Sequence, residues 1–310
     1  MTLIEPQGVP DVSVIIVTRD RAKELELCLR SIIPQLSPDS EVIIVAGSEA
    51  SCPRELVTAF SSTCIFKVGL CPEPNICMAR NIGLDIAANP LVLFIDDDAV
   101  AHSGWVKAYA DAFSAHSGAC IAGGLVLDAR QETKAPEFAF GLIHPSGRQI
   151  EVRESSRSVI PNGYVLSVKG CNFAILLDRL QVPARFDEFY RFAFDETDLL
   201  MSMIAAGGKV VHVPDAVVDH LHAPGLYRSA SPLDRDWQTE FASHTMFMLK
   251  HTRGMARFLG WCVVLGRLSK HAARALRASI GSSSTEKSGM QAIREAIAGI
   301  SSAKRSHGSA

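Results

Sequence analysis

No run of 18 or more apolar residues occurs in this 310-residue chain, so no bilayer-spanning helix is expected. Met1 to Asp11 has neither a basic start nor an apolar core, and a secretory leader is not expected. The eight cysteines show no C-x-x-C spacing, which argues against a zinc ribbon or a disulfide frame. Scattered as they are, they suit buried or idle thiols in a reducing compartment. No G-x-G-x-x-G follows the first apolar run, so the dinucleotide-binding fingerprint is missing. No G-x-x-x-x-G-K-[ST] occurs either, which excludes a P-loop enzyme. What remains is ordinary globular material, 47% hydrophobic and 21% charged, with a net charge of −2.

Strands and helices alternate in the first hundred residues. Val12 to Thr18, Glu41 to Val45, Ile65 to Val68 and Leu91 to Ile95 are short branched or aromatic runs that predict strands. Arg21 to Ile33 carries an apolar stripe at Ala22, Leu25, Cys28, Leu29 and Ile32, the pattern of an amphipathic helix. Pro53 to Phe60 reads as a second helix. Ile76 to Ala88 reads as a third, with Asn75 as its N-cap. The series predicts an α/β fold with parallel strands.

The run Leu91 to Ile95 stops at Asp96, Asp97 and Asp98. Strands buried on both faces read as continuous apolar runs, and parallel sheets bind ligands at their carboxyl ends. Three adjacent like charges repel, so they call for compensating positive charge. A divalent cation shared with a nucleotide diphosphate meets that need. A solvated acidic turn is the plainer alternative.

V-S-V-I-I-V-T-R-D-R, A-R-N-I-G-L-D-I-A-A-N-P and L-F-I-D-D-D-A-V together resemble the nucleotide-binding half of the family 2 glycosyltransferases. G-C-N-F-A-I-L-L-D-R-L, R-F-D-E-F-Y and D-E-T-D-L-L-M-S-M-I-A-A-G-G-K-V-V-H-V-P-D-A-V-V-D-H are similar to the family's acceptor region. The resemblance runs from about Val12 to about His222. It implies a GT-A, Rossmann-like, mostly parallel sheet flanked by helices. It divides the chain into a catalytic domain, 1–235, and a basic helical extension, 236–310, with a linker near 280–289. Within the first, 11–100 is the nucleotide half and 101–235 the acceptor half.

The resemblance also implies roles. The activity is inverting transfer of a sugar, of hexosyltransferase type, from a nucleotide-sugar donor to a sugar or lipid-linked acceptor, with Mg²⁺ or Mn²⁺. Thr18, Arg19 and Asp20 fall at the base and ribose, although Asp20 could equally cap the following helix. Arg80 is suited to the diphosphate, a surface salt bridge being the alternative. Asp96 faces the ribose, Asp97 belongs to the donor site, and Asp98 is the metal ligand. His220 returns to the metal, with His222 in reserve. The family's general base falls on Glu196, with Asp195 as its neighbour. Both also suit the helix dipole as first-turn acids. Asp187 and Asp198 are placed on the acceptor side, and Gly170-Cys171-Asn172 at the end of a strand under the donor sugar. One position departs from the family: Ala46 stands where a base-reading aspartate is usual, with Ser48 or Glu49 nearby. Other readings are an inactive GT-A module that binds nucleotide or glycan and a pyrophosphorylase-like nucleotidyltransferase. The latter is disfavoured by the missing glycine-rich loop.

The tail differs from the body. Lys250 to Ala310 holds 11 of the 31 basic residues but only Glu286 and Glu295 among the acids. Trp237 to Lys250 and Met255 to Ser279 read as helices. Phe258 to Leu265 is apolar, contains Trp261 and lies between Arg257 and Arg267. That pattern fits an interfacial helix on an anionic membrane surface, and a helix packed on the body equally well. Nucleic acid is not expected as a partner. The expected location is cytoplasmic, peripheral on the inner face of the membrane. Ile280 to Gly289 reads as a linker, and the residues after Ile300 as disordered.

Overall fold

A computed structural model describes residues 10–49, 52–130, 136–152, 160–191, 193–223, 236–279 and 289–308. The first half alternates as its hydrophobic pattern dictates. It runs β1 (Ser13–Thr18), α1 (Ala22–Ile32), β2 (Glu41–Ala46), α2 (Arg54–Phe60), β3 (Ile65–Leu70), α3 (Ile76–Ile86), β4 (Leu91–Ile95) and β5 (Ala99–Ala101). Then follow α4 (Trp105–Ala115), β6 (Ala119–Asp128), β7 (Pro136–Phe138), β8 (Phe140–Ile143), β9 (Gln149–Val152), β10 (Val165–Ser167) and β11 (Asn172–Leu176). The chain continues through α5 (Asp195–Ala205), β12 (Lys209–His220), α6 (Trp237–His251), α7 (Gly254–Ser279) and α8 (Gly289–Gly308).

The main sheet has the order β3-β2-β1-β4-β11-β6-β12-β5, with β7 beside β6. Its first four strands are parallel, with Ser13 to Thr18 in step with Glu41 to Ala46. The second half is mixed, because β11 runs antiparallel to both β4 and β6. Strands β10, β8 and β9 form a separate antiparallel sheet. Alternation along β1 assigns the two faces. Val14 and Ile16 pack with Leu25, Leu29 and the α4 aromatics Trp105 and Tyr109. Ile15 packs on the other side with α3 and with Leu199, Leu200 and Met203 of α5. Both faces are therefore covered, which is why the strand sequences carry so few polar residues.

Helices α6, α7 and α8 pack around Trp237, Phe241, Met248, Val264 and Ala296. Helix α6 also sends Met246 and Phe247 into the core beneath α5. Helix α8 runs to Gly308, which corrects the expectation of disorder after Ile300. Its small residues explain this: Ala296 and Ala303 are fully buried, and a Cβ on Gly299 would lie 2.1 Å from the Gln238 carbonyl oxygen of α6. Of the linker expected at 280–289, residues 280–288 lie outside the described residues and Gly289 begins α8.

Candidate active site

The topology brings four chain segments to one place. β4 ends beside β1, and Asp96 to Asp98 follow directly. β11 pairs with β4 in the register Asn172 to Ile95, so Gly170 and Cys171 arrive next to Asp96. β12 ends with His220 paired to Ala99, one residue past the triplet. Helix α5 opens with Asp195 and Glu196 across the gap. Between them lies a cleft of about 1250 Å³. Thr18 to Arg21, Gly47 and Cys71 line one end. Lys169, Gly170, Arg191 and Asp195 to Thr197 line the other, and Asp96, Asp97, His220 and His222 lie between.

The three aspartates have three different environments. The Asp96 side chain is 28% exposed and opens into the cleft, with Arg80 Nη2 at 3.4 Å. Asp97 is buried; it accepts the Thr18 hydroxyl at 2.8 Å and Arg21 Nη1 at 2.8 Å. Burial pushes its carboxyl up to about 6, with Arg21 and Thr18 pulling the other way. Asp98 is fully buried; its Oδ2 accepts the Ala223 N–H at 2.9 Å. Its Oδ1 lies 3.6 Å from His220 Nε2, beyond hydrogen-bond range. Two arginines thus already balance much of the triplet's charge.

The first end of the cleft is built by backbone. Thr18 is buried and serves Asp97. Asp20 has a φ of +58°; Arg21 occupies the N-cap of α1, and no side chain caps that helix. Asp20 thus sits one residue before the N-cap. Arg19 lies over Gly47, its Nη2 reaching the carbonyls of Gly47 at 3.4 Å and Pro72 at 3.2 Å. A Cβ on Gly47 would sit 2.6 Å from Arg19 Nε, so glycine is what permits this contact. Glu49 pairs with Arg54 on the surface, so its carboxylate is not turned to the position left by Ala46.

Arg80 is a buried hub. It pairs with Asp195 and donates to the Gly170 carbonyl at 2.9 Å. Its guanidinium lies over the rings of Phe173 and Phe186, 5.7 and 5.5 Å from their centroids. Arg80 lines the cleft but is buried, which corrects the surface-salt-bridge alternative; its fork is engaged by Asp195, Asp96 and a carbonyl oxygen. Two exposed guanidiniums line the cleft: Arg130, which pairs with Asp128, and Arg191, which has no ion-pair partner among the described residues. Glu196 is half-buried in the cleft wall. Burial, and then the charge of Asp195, raise its proton affinity well above the carboxylate norm. Asp195 is tied to Arg80, which leaves Glu196 as the carboxylate facing the cleft.

Two acceptor-side expectations fail. Asp198 points away from the cleft and accepts Tyr190 Oη at 3.0 Å, Lys250 Nζ at 2.7 Å and His251 Nε2 at 2.7 Å. Asp187 takes the same lysine at 2.9 Å. Neither lines the cleft; both anchor α6. Gly170-Cys171-Asn172 also leads into its strand, which begins at Asn172, rather than ending it. Asn172 is a buried pin. Its Oδ1 accepts Trp105 Nε1 and Tyr109 Oη, and its Nδ2 donates to the Leu125 and Ala216 carbonyls.

The residues present suit a divalent cation. One ligand atom each from Asp96, Cys171 and His220 lie within 4.8 Å of one another, and Asp98 stands behind His220. His222 has a φ of +55°, stacks on His220 at 3.9 Å between ring centroids, and has its Nε2 3.8 Å from Asp128. Of the two histidines, His220 is the one at the triplet. Cys171 was expected under the donor sugar; its place beside Asp96 and His220 was not foreseen, since a lone cysteine carries no spacing signal.

Comparison with known proteins agrees with this architecture. Residues 13–149 match the family model described as "Glycosyl transferase family 2". No curated protein matches the chain. Among solved structures, S. aureus TarS (residues 1–349) aligns with a TM-score of 0.54 at 14% identity, covering 96% of this chain and 91% of that one. The mannosyltransferase PcManGT from Pyrobaculum calidifontis, in complex with GDP-Man and Mn²⁺, aligns at 0.51 and 15% identity, covering 97% and 88%. GalNAc-T7 with UDP, GalNAc and Mn²⁺ aligns at 0.56 and 15% identity over 78% of this chain; the match spans about half, 48%, of that one. At such identities the likeness speaks for the fold, which is the mixed α/β fold of the GT-A glycosyltransferases. The matched residues 13–149, which hold β1, α3 and the acidic triplet, make up less than half of the chain, and over them it is similar to glycosyl transferase family 2.

Proposed function

We propose that the protein is an inverting, metal-assisted glycosyltransferase that uses a nucleotide-sugar donor. The observation that carries this reading is the placement of Glu196. A carboxylate of raised proton affinity faces the same cleft as Asp96 and His220, while its neighbour Asp195 is ion-paired with Arg80. UDP, UDP-GlcNAc and GDP-Man in the structural neighbours support a nucleotide-linked donor. Mn²⁺ in two of them supports a divalent metal.

In this reading the base and ribose lie along Thr18 to Asp20 and Gly47, and the diphosphate lies toward Asp96, Asp98 and His220. A cation held there would neutralise charge on the leaving diphosphate. Glu196 takes the proton of the acceptor hydroxyl. The acceptor oxygen then bonds to the anomeric carbon as the bond from that carbon to the phosphate oxygen breaks. The electron pair leaves with the nucleoside diphosphate, and one displacement inverts the centre. Arg191, exposed at the cleft, is the guanidinium proposed for the phosphates in place of Arg80.

The acceptor is proposed to lie at an anionic lipid surface. Helix α7 turns Met255, Phe258, Leu259 and Leu265 outward, each at least half exposed, while Gly260 and Val264 face the bundle. Arg253 and Lys270 flank this stripe, and Lys304 lies over the Trp261 ring. No helix among the described residues is long and apolar enough to cross a membrane. The helix is therefore placed on the surface rather than through it.

A panel of nucleotide sugars with Mn²⁺ tests the reading. Turnover with an inverted anomeric product, lowered roughly 10²–10⁴-fold in Glu196→Gln at unchanged donor affinity, is expected. Binding without turnover across the panel would point to an inactive module. Release of pyrophosphate would point to a nucleotidyltransferase.

A further inference from the structure

Cys171 lines the donor cleft as a buried sulfur, as does Cys71. It sits between two fixed residues. Gly170 is held through its carbonyl by Arg80 at 2.9 Å. Asn172 is held by four hydrogen bonds, from Trp105 and Tyr109 and to Leu125 and Ala216. A thiol between such neighbours has little freedom to turn away. Its ligand atom and those of Asp96 and His220 lie within 4.8 Å of one another. The three side chains come from the ends of three strands of one sheet, β4, β11 and β12. Their mutual positions are set by strand pairing rather than by a loop.

We propose that Cys171 is a ligand of the cleft's divalent metal, so that the site binds thiophilic transition-metal dications in preference to Mg²⁺. The inference rests on the metal-assisted reading above and adds a sulfur to it. A sulfur, imidazole and carboxylate set favours Zn²⁺, Co²⁺, Cd²⁺ and then Mn²⁺, whereas Mg²⁺ wants oxygen alone. On binding, the sulfur–metal bond replaces S–H and the proton goes to solvent, so binding strengthens with pH.

The test is titration of the whole chain with Co²⁺ and with Cd²⁺ under anaerobic, reducing conditions, read by thiolate-to-metal charge-transfer absorption. One equivalent of band is expected. It should vanish in Cys171→Ser and Cys171→Ala and persist in the exposed-thiol variant Cys262→Ser. Cd²⁺ affinity should fall on the order of tenfold or more in the Cys171 variants, and Mg²⁺ affinity should stay within about twofold. Thermal unfolding of both Cys171 variants checks that they fold, and Asp96→Asn, which leaves the thiol in place, should also weaken the band. A band that survives both Cys171 variants, or no band in the unaltered chain, overturns the proposal. If the band is absent while Mn²⁺-dependent donor binding persists, the sulfur inference fails and the glycosyltransferase reading stands. If the band requires Cys171 but no nucleotide sugar binds or turns over, the metal site stands and the enzymatic reading falls.

Discussion

At Asp97 burial works against ionisation, and Thr18 and Arg21 work for it. The balance leaves the carboxyl near 6 rather than in the ordinary carboxylate range. Asp97→Ala would strip an acceptor from both partners in a half-closed environment. A loss of about 1–3 kcal/mol in stability is expected by urea unfolding, with only a small change in donor affinity. Asp98→Ala removes the buried carboxylate behind His220 and should weaken metal-dependent donor binding through that histidine; unchanged Mn²⁺ dependence in that variant would refute the role. Glu196 is held more strongly to its proton than a free glutamate, first by burial and then by Asp195. A general base must be deprotonated to act. The acid limb of kcat should therefore lie above the free glutamate value of about 4.3, and Glu196→Gln should remove that limb. Retention of the limb in Glu196→Gln would assign it to another group.

Helix α5 is fixed from both sides, by Arg80 on Asp195 at the cleft and by α6 on Asp198 behind it. Burial alone would raise Asp198. The hydrogen bond from His251 and the charge of Lys250 overcome this and hold it below the usual carboxylate range. A lowered acid contributes stability above its unfolded value, near 3.9, and loses it as pH falls toward the folded value. His251→Ala leaves a carboxylate of 2% exposure with one partner fewer, and about 3 kcal/mol should be lost at neutral pH. The gap to the unaltered chain should narrow below about pH 4, measured by urea unfolding at each pH. This contact also shows where sequence reading stops. Strands β1 to β4 were legible because two-sided burial writes itself as apolar runs, and α3 because Asn75 caps it, accepting the Cys77 and Met78 amides. Asp198 was not, since a first-turn acid looks the same whether it faces a cleft or a lysine 52 residues away. Strand direction was hidden too. Nothing in Gly170-Cys171-Asn172 says that β11 runs antiparallel and starts there. The partners of Cys171 and Arg80 were not foreseen for the same reason: they are distant in sequence.

Over the whole molecule the charge split seen in the sequence acquires a shape. The cleft belongs to the acidic body, and a surplus of basic over acidic residues lies on a three-helix extension fastened to α5 through α6. The outward face of α7 is not covered by the rest of the chain among the described residues: Met255 is 73% exposed and Phe258 63%. An apolar stripe with a basic border suits an anionic leaflet. There each Lys or Arg contributes about 1 kcal/mol, and the apolar side chains add burial at roughly 25 cal/mol per Å². The attraction must weaken with salt, because exposed charges are screened within about 10 Å at 0.1 M. Co-sedimentation of the intact chain should show binding to anionic vesicles at low salt, less at high salt, and little to neutral vesicles. Phe258→Glu combined with Leu265→Glu changes only outward side chains, so folding should hold while vesicle binding drops about tenfold or more. Turnover on a soluble acceptor should be untouched by that pair, whereas turnover on a vesicle-borne acceptor should fall with the binding. Equal binding to neutral and anionic vesicles, or an unaffected double variant, would remove the membrane from this account. The stripe would then be only an exposed apolar helix face.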